Sequence, residues 1–290
     1  MKNILVVGGS GFIGSHLADQ LSASNFNVTI YDSHESKWKS ENQDIVIGNI
    51  LDYEKLFKAI KGKDIVFNFA ALADLNYLIS NPQKSVETNI LGNVNVLEAC
   101  VRNNVSKFLY ASSMYIYSKQ GSFYRCSKQA SELYIEEYNK LYDLNYTILR
   151  YGSLYGPRSN ETNSIYRIIK KAVVEKKITY KGYANAMREY IHVYDAASAA
   201  VNALKDEFSN NAFIITGQEA IKVTDMLKIL AEIMNIDEND IKIEDEPDLG
   251  HYIRTPYSYS HKTGKKYIPP LHTDLGYGLL EMVKLMNQEI

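Results

Sequence analysis

At 290 residues, with 46% hydrophobic and 23% charged side chains, the chain is long for one compact core and short for three domains, and its composition excludes a disordered or fibrous protein. Lys and Arg total 32 against 34 Asp and Glu, a net charge of −2, so no global field draws the chain to nucleic acid or to an anionic membrane, and a small-molecule partner is favoured. No apolar run approaches the roughly 20 residues that span a bilayer, and residues 1–6 lead into a glycine cluster without a cleavage-type segment, which points to the cytoplasm.

Over residues 1–150 short apolar runs alternate with amphipathic stretches, the pattern of βαβ units feeding a parallel sheet covered on both faces. Strands are expected over 4–8, 28–31, 44–47, 65–69, 108–111 and 147–150, with helices over 11–23, 53–60, 82–103 and 123–142 between them. Pro82 suits a helix start, where its missing N–H costs nothing. Beyond Tyr155-Gly156-Pro157 the rhythm changes: a basic helix over 165–177, short strands over 178–180 and 213–216, and helices over 194–205, 223–234 and 274–287. The expected architecture is α/β: a doubly wound parallel sheet of the Rossmann type over 1–157, followed by a smaller α/β substrate domain over 158–290, some of whose segments return to the sheet. Cys100 and Cys126 both fall in helical patterns and read as reduced packing thiols; no Cys/His cluster has metal-ligand spacing, so no metal is expected.

The first strand ends in Gly8-Gly9-Ser10-Gly11-Phe12-Ile13-Gly14. Glycines at 8, 11 and 14 permit a tight turn, let backbone approach a pyrophosphate and pack the following helix on the strand, while the N–H groups and positive dipole of the helix start, at Phe12 and Ile13, face the phosphates. Asp32 stands at a strand end about 20 residues on, placed to accept hydrogen bonds from the adenosine ribose and to repel a 2′-phosphate. Together these predict dinucleotide binding with NAD favoured over NADP, although the nearby Lys37 weakens that preference.

A second constellation comprises Ser113, Tyr124 and Lys128. A tyrosine four residues before a lysine on a helix puts both on one face, and the strand over 108–111 delivers Ser113 to the carboxyl edge of the sheet, where doubly wound folds bind ligands. A phenol of pKa about 10 is ionised in about one molecule per thousand at pH 7, a deficit of roughly 4 kcal/mol. An ammonium about 4 Å away, at an effective dielectric near 20, supplies about that much, which makes Tyr124 a candidate general base near neutrality. The bare pair is unspecific: with 23 tyrosines, Tyr-x-x-x-Lys also occurs at Tyr115/Lys119, assigned to a loop, and at Tyr166/Lys170, outside the nucleotide domain. Only Tyr124/Lys128 lies early in a long helix downstream of Ser112-Ser113.

These residues resemble the extended short-chain dehydrogenase/reductase family, in its NAD-dependent epimerase/dehydratase branch acting on nucleotide sugars. The similarity runs through Gly8 to Gly14, Gly48-Asn49-Ile50, Asn68-Phe69-Ala70-Ala71, Asn89, Ala111 to Tyr117, Tyr124/Lys128, Leu149-Arg150-Tyr151-Gly152-Ser153 and Arg188 to Val193. The resemblance implies that Asn49 and Ile50 contact adenine, that Phe69, Ala70, Ala71, Asn89 and Tyr151 flank the cofactor, and that Lys128 also holds the nicotinamide ribose. It implies further that Ser113 hydrogen-bonds the reacting sugar oxygen and that Arg188 grips the nucleotide diphosphate. Three departures stand out. Ser113-Met114-Tyr115 replaces the Thr-Asp-Glu of the dehydratases, which disfavours a 4,6-dehydratase. Ser153 stands where an asparagine is usual, and Glu246-Pro247-Asp248 replaces a phosphate-clamping Arg-Pro-Gly-Asp, leaving Arg254 as the candidate substitute. The expected activity is a UDP-hexose 4-epimerase working by transient C4 oxidation; the alternative is a nucleotide 4-keto-6-deoxysugar reductase, with a 4,6-dehydratase or a non-catalytic NAD-binding protein behind both. The resemblance also implies a homodimer through helices 82–103 and 123–142, with a nucleotide-diphosphate sugar as the small-molecule partner.

Overall fold

The computed structural model describes residues 1–244 and 251–258 together with Leu279, Leu280 and Val283. Met1–Tyr259 forms one compact unit and Ser260–Ile290 a second. In the second, the expected helix over 274–287 lies outside the described residues except at Leu279, Leu280 and Val283, which are helical; residues 246–248 of the first also lie outside them. No helix among the described residues is long and apolar enough to cross a membrane.

The first unit opens as β1 (Asn3–Val7), α1 (Phe12–Ala23), β2 (Asn27–Asp32), β3 (Gln43–Ile47), α2 (Tyr53–Ile60), β4 (Ile65–Asn68) and α3 (Leu75–Ser80). Then come α4 (Pro82–Lys84), a π-helical turn over Ser85–Leu91, α5 (Gly92–Arg102), β5 (Lys107–Ser113), α6 (Ser122–Tyr142) and β6 (Tyr146–Tyr151). The remainder runs β7 (Ser153–Tyr155), α7 (Ser164–Glu175), β8 (Ile178–Lys181), β9 (Met187–His192), α8 (Val193–Asn202), β10 (Asn211–Ile215), β11 (Ala220–Lys222), α9 (Val223–Met234) and β12 (Ile241–Glu244).

Seven parallel strands form the main sheet in the order β10-β6-β5-β4-β1-β2-β3. Because helices cover both faces, the central strands are largely apolar, as in Ile4, Leu5, Val6 and Val7 of β1. One face buries Leu17 and Leu21 of α1 with Ala196, Ala197 and Ala200 of α8; the other buries Leu56 and Ile60 of α2, Val96 and Leu97 of α5 and Ile135 of α6. Strand order reverses between β1 and β4, and the carboxyl ends of those two strands flank the crevice that this topology offers a ligand. Beyond β6, two small sheets (β11-β9-β7 and β12-β8) accompany a separate core of Ile168, Ala172, Ile178, Leu227 and Ala231. β10 pairs in parallel with β6 at the edge of the main sheet.

Several elements depart from the sequence expectation. The helix over 82–103 is broken into α4, the π turn and α5, a wider local winding often found where a helix meets a functional site. α3 was not expected, yet its start carries an ordinary signal: the Asp74 carboxylate accepts the Tyr77 N–H at 3.0 Å. Strands β7, β9, β11 and β12 were also missed. Cys100 is buried in α5, whereas Cys126 is exposed on α6 and so does not pack in the core; both are free thiols.

Candidate active site

The glycine turn joins the ends of β1 and β4. Gly8 has φ +81°, in the left-handed region, and a Cβ there would stand 2.5 Å from the Ala70 nitrogen. A Cβ on Gly14 would collide with the Gly8 carbonyl oxygen, so this glycine sets how closely α1 approaches the strand. Gly11 is the N-cap of α1 and no side chain caps the helix, in contrast to α2, whose first turn is held by the Asp52 carboxylate on the Lys55 N–H at 3.1 Å. An uncapped helix start between Gly8 and Gly14, where a Cβ would collide with backbone, is a cradle fitted to a pyrophosphate, with Phe12 and Ile13 at its mouth. Asp32 reaches the same turn: its Oδ2 accepts the Ser10 N–H at 2.9 Å and its Oδ1 the His34 N–H at 3.2 Å. These residues fit a dinucleotide.

Farther along the expected cofactor groove, Asn49 is exposed and Ile50 buried beneath Gly92, whose own Cβ would come 2.7 Å from the Ile50 side chain. Phe69, Ala70 and Ala71 are half-buried where β4 leaves the sheet. Asn89 sits in the π turn, buried. Its Oδ1 accepts the Leu72 N–H at 2.8 Å and its Nδ2 donates to the Leu72 carbonyl and to Ser127 Oγ, both at 3.0 Å, tying the exit of β4 to α6 beside Lys128. Tyr151 is placed differently from the expectation: its side chain lies in the core and its hydroxyl donates to the Ala196 carbonyl at 3.3 Å.

The structure brings Ser113, Tyr124 and Lys128 together. Ser113 ends β5, and its hydroxyl accepts the Tyr115 N–H at 3.3 Å, near enough to Tyr124 to lower the pKa of its phenol. Lys128 lies one turn below on α6, almost fully buried, with Nζ donating to the Ala111 carbonyl at 2.6 Å. That ammonium stands 4.5 Å from the Tyr110 ring centre and 5.6 Å from the Tyr124 ring centre, within reach of both π faces. The electrostatics correct the sequence expectation. Burial pushes the Tyr124 phenol up to about 12, with the nearby Ser113 hydroxyl opposing it, and pulls Lys128 down to about 7, with Glu132 opposing it. In so dry an environment desolvation of each charge outweighs the attraction that was expected to bring the phenol near neutrality.

The substrate-side candidates lie on the smaller sheets. Ser153 Oγ on β7 is 3.4 Å from the Tyr252 hydroxyl. Arg188 on β9 lies over the Tyr252 ring at 4.8 Å and donates to the Met187 and Ile253 carbonyls; Arg254 is exposed. Two groups of residues escaped the sequence reading. Tyr115, assigned to a loop, belongs to a 3₁₀ turn over Met114–Tyr117. Its ring meets Tyr124 edge-on at 6.2 Å and packs on Tyr252 at 5.0 Å, and its hydroxyl bonds His251 Nδ1. The other group surrounds Glu132, which accepts from Ser112 and takes both ends of the Arg150 guanidinium. Tyr124, Lys128 and Glu132 follow at four-residue spacing, a pattern that was visible in the sequence.

The chain belongs to the NAD dependent epimerase/dehydratase family, whose model matches residues 4–215. Among its relatives, a Methanocaldococcus jannaschii protein named as a candidate UDP-glucose 4-epimerase is 33% identical over 240 residues, covering 74% of this chain and 77% of the relative. A Bacillus cytotoxicus UDP-N-acetyl-alpha-D-glucosaminuronate decarboxylase is 30% identical over 245 residues, 75% of each protein. The solved UDP-glucose 4-epimerase of Thermus thermophilus, crystallised with NAD, superposes with a TM-score of 0.79 at 26% identity, over 88% of this chain and 90% of that one. The relatives thus share a fold and nucleotide-sugar substrates while differing in reaction.

Proposed function

We propose that the chain is an NAD-dependent nucleotide-sugar epimerase of the UDP-hexose 4-epimerase type, working in the cytoplasm. The observation that carries this reading is the buried Lys128, whose Nζ stands 5.6 Å from the Tyr124 ring centre and donates to the Ala111 carbonyl of the strand that ends at Ser113, at the carboxyl edge of the sheet beside the glycine cradle. Residues 1–157 hold the dinucleotide, with Gly8, Gly11, Phe12, Ile13 and Gly14 at the pyrophosphate, Asp32 at the adenosine ribose, and Asn49 and Ile50 at adenine. NAD bound there supplies a two-electron acceptor for the sugar C4. Ser113 donates a hydrogen bond to the 4-hydroxyl oxygen, and Tyr124 takes that hydroxyl's proton and later returns it. Lys128 offsets the charge that develops on the phenol and holds the nicotinamide ribose.

Residues beyond 158, notably Arg188, together with Ser153 hold the nucleotide sugar, and the aromatic wall of Tyr115 and Tyr252 confines the ring. The turn that follows Ser113 carries Met114 and Tyr115 and no carboxyl group, which favours oxidation and return at C4 over elimination, because expulsion of a C6 hydroxyl needs an acid beside it. The apolar side chains Leu133, Tyr134 and Leu141 are exposed on α6, which supports a homodimer through that helix. Purified protein given UDP-glucose or UDP-N-acetylglucosamine and no free NADH is expected to equilibrate the C4 epimers, read by NMR of the nucleotide sugars. If no such sugar inverts while a 4-keto sugar consumes NADH, the enzyme is a reductase and the epimerase reading is wrong.

A further inference from the structure

Lys128 poses a problem that the three candidate catalytic residues leave unsolved. An ammonium removed from water is expensive, and the carbonyl and two aromatic rings that surround it supply only partial charges. One full turn farther along α6, on the same face, Glu132 is equally buried. Its two oxygens take three hydrogen bonds: Ser112 Oγ and Arg150 Nε on Oε1, the latter at 3.1 Å, and Arg150 Nη2 on Oε2 at 2.7 Å. Ser112 is the neighbour of Ser113 on β5, and Arg150 belongs to β6 and lies over the Tyr117 ring at 5.0 Å. A single carboxylate therefore binds the two strands to the helix that carries Tyr124 and Lys128. Among the described residues of this cluster it is also the interior anion, set against the cations of Lys128 and Arg150.

We propose that Glu132 is a positioning residue of the active site, which holds α6 in register with the Ser113 strand and serves as the countercharge that lets Lys128 carry a proton in a dry interior. This rests on the reading of Tyr124 and Lys128 given above. The groups that face the pair from each packed element are Tyr110, the Ala111 carbonyl and Ser112 from β5, Arg150 and Tyr146 from β6, and Tyr117 from the 3₁₀ turn. From α6 come Tyr124 and Glu136, and from the π turn Asn89, through Ser127. Glu136 is the other carboxylate in that set; it lies at the surface, and partial burial together with its proximity to Glu132 raises its own pKa. A bidentate guanidinium pair that also grips a serine is better suited to fixing geometry than to adding stability, since a buried pair returns little net free energy.

The test uses the full chain labelled with ¹³C-lysine, in which the Lys128 signal is assigned by its loss in Lys128→Arg, and does not depend on activity. In the unsubstituted protein Lys128 titrates near 7; in Glu132→Gln the midpoint is expected at lower pH, in Glu132→Asp close to the original value, and in Glu136→Gln unchanged. Turnover supplies the second readout. With Glu132→Gln the rate above neutrality is expected to fall about tenfold, the change for one unit of lost lysine basicity, and the acid limb of the pH profile to move to lower pH, so that the two profiles converge in acid. A residue that only braces the fold would lower the rate at every pH without moving the limb. Should Glu132→Gln not fold, the double variant E132Q/R150M, which leaves no buried charge unpaired at that pair, is expected to move the lysine midpoint in the same direction by less, since loss of the Arg150 cation offsets part of the loss of the carboxylate. An unmoved lysine titration in the folded variant overturns the proposal even if the epimerase reading stands; a moved titration in a protein that turns over no nucleotide sugar overturns that reading and leaves the Glu132–Lys128 coupling intact.

Discussion

Tyr124→Phe is expected to lower turnover about a thousandfold, within the range that a positioned acid–base group contributes, while the protein still folds and retains its dinucleotide. Tyr124 is half-buried as a residue, and removing its oxygen leaves the edge-on ring contact with Tyr115 in place. The pH dependence follows from the pair. Lys128 sheds its proton near 7 and Tyr124 keeps its own until about 12, so between those limits the pair holds one proton in total. The reactive arrangement, phenolate beside ammonium, has the same proton count as the resting one, phenol beside amine, and its share is therefore independent of pH across that span. About five units separate the two sites, a deficit of about 7 kcal/mol; attraction between unit charges roughly 5 Å apart at an effective dielectric near 20 recovers about 3 kcal/mol. Turnover is thus expected to rise about tenfold per unit below neutrality, as the pair gives up its second proton, and then to level off. Steady-state rates of the two proteins over a pH series check both statements, and a variant that retains a tenth of the normal rate would remove Tyr124 from the chemistry.

Lys128→Met is expected to do two opposite things: to abolish turnover and to stabilise the protein. The folded state holds Lys128 near 7 while an unfolded chain leaves it at the ordinary value, 10.5, so between those values the unfolded state binds the extra proton. Stability of the unsubstituted protein should therefore rise with pH through that window, and the burden of burying this lysine is fully present at and below pH 7. Methionine is close in length and carries no charge to desolvate, although it forfeits the hydrogen bond to the Ala111 carbonyl. The net gain at pH 7 is expected to be about 2–4 kcal/mol, shrinking to near zero above pH 10. Urea unfolding of both proteins at pH 7 and at pH 10 measures it. A variant no more stable at pH 7, or one whose advantage does not fade in alkali, would mean that Lys128 is not the strained charge it is taken to be.

What the sequence made legible divides along physical lines. β1, β2 and β4 to β6 are buried on both faces, so their largely apolar runs announced them, and Gly8 and Gly14 of the first turn are fixed by steric limits that no other side chain meets. β9, by contrast, reads Met-Arg-Glu-Tyr-Ile-His and is half-buried in a three-stranded sheet; nothing in that string alternates cleanly enough to mark a strand. The π turn is invisible because its wider winding changes no residue-type preference. In the candidate site, the placement of Tyr124 and Lys128 on one face of α6 below the end of the Ser113 strand was legible from position and spacing, as was that of Asp32 at the glycine turn. The sign of the two pKa shifts was not, because spacing fixes which groups are neighbours but leaves open how much water surrounds them. Tyr115 and His251 lie 136 residues apart in sequence, and the Arg150–Glu132 pair joins a strand to a helix; such contacts belong to the fold.

The most direct measurement follows the hydrogen on C4. UDP-glucose deuterated at that carbon, incubated with the enzyme in ordinary water, is expected to yield the inverted sugar with deuterium still on C4, because hydrogen removed by oxidation is returned without meeting solvent. Deuterium lost to water, or found at another carbon, would contradict C4 oxidation served by Tyr124 and Lys128.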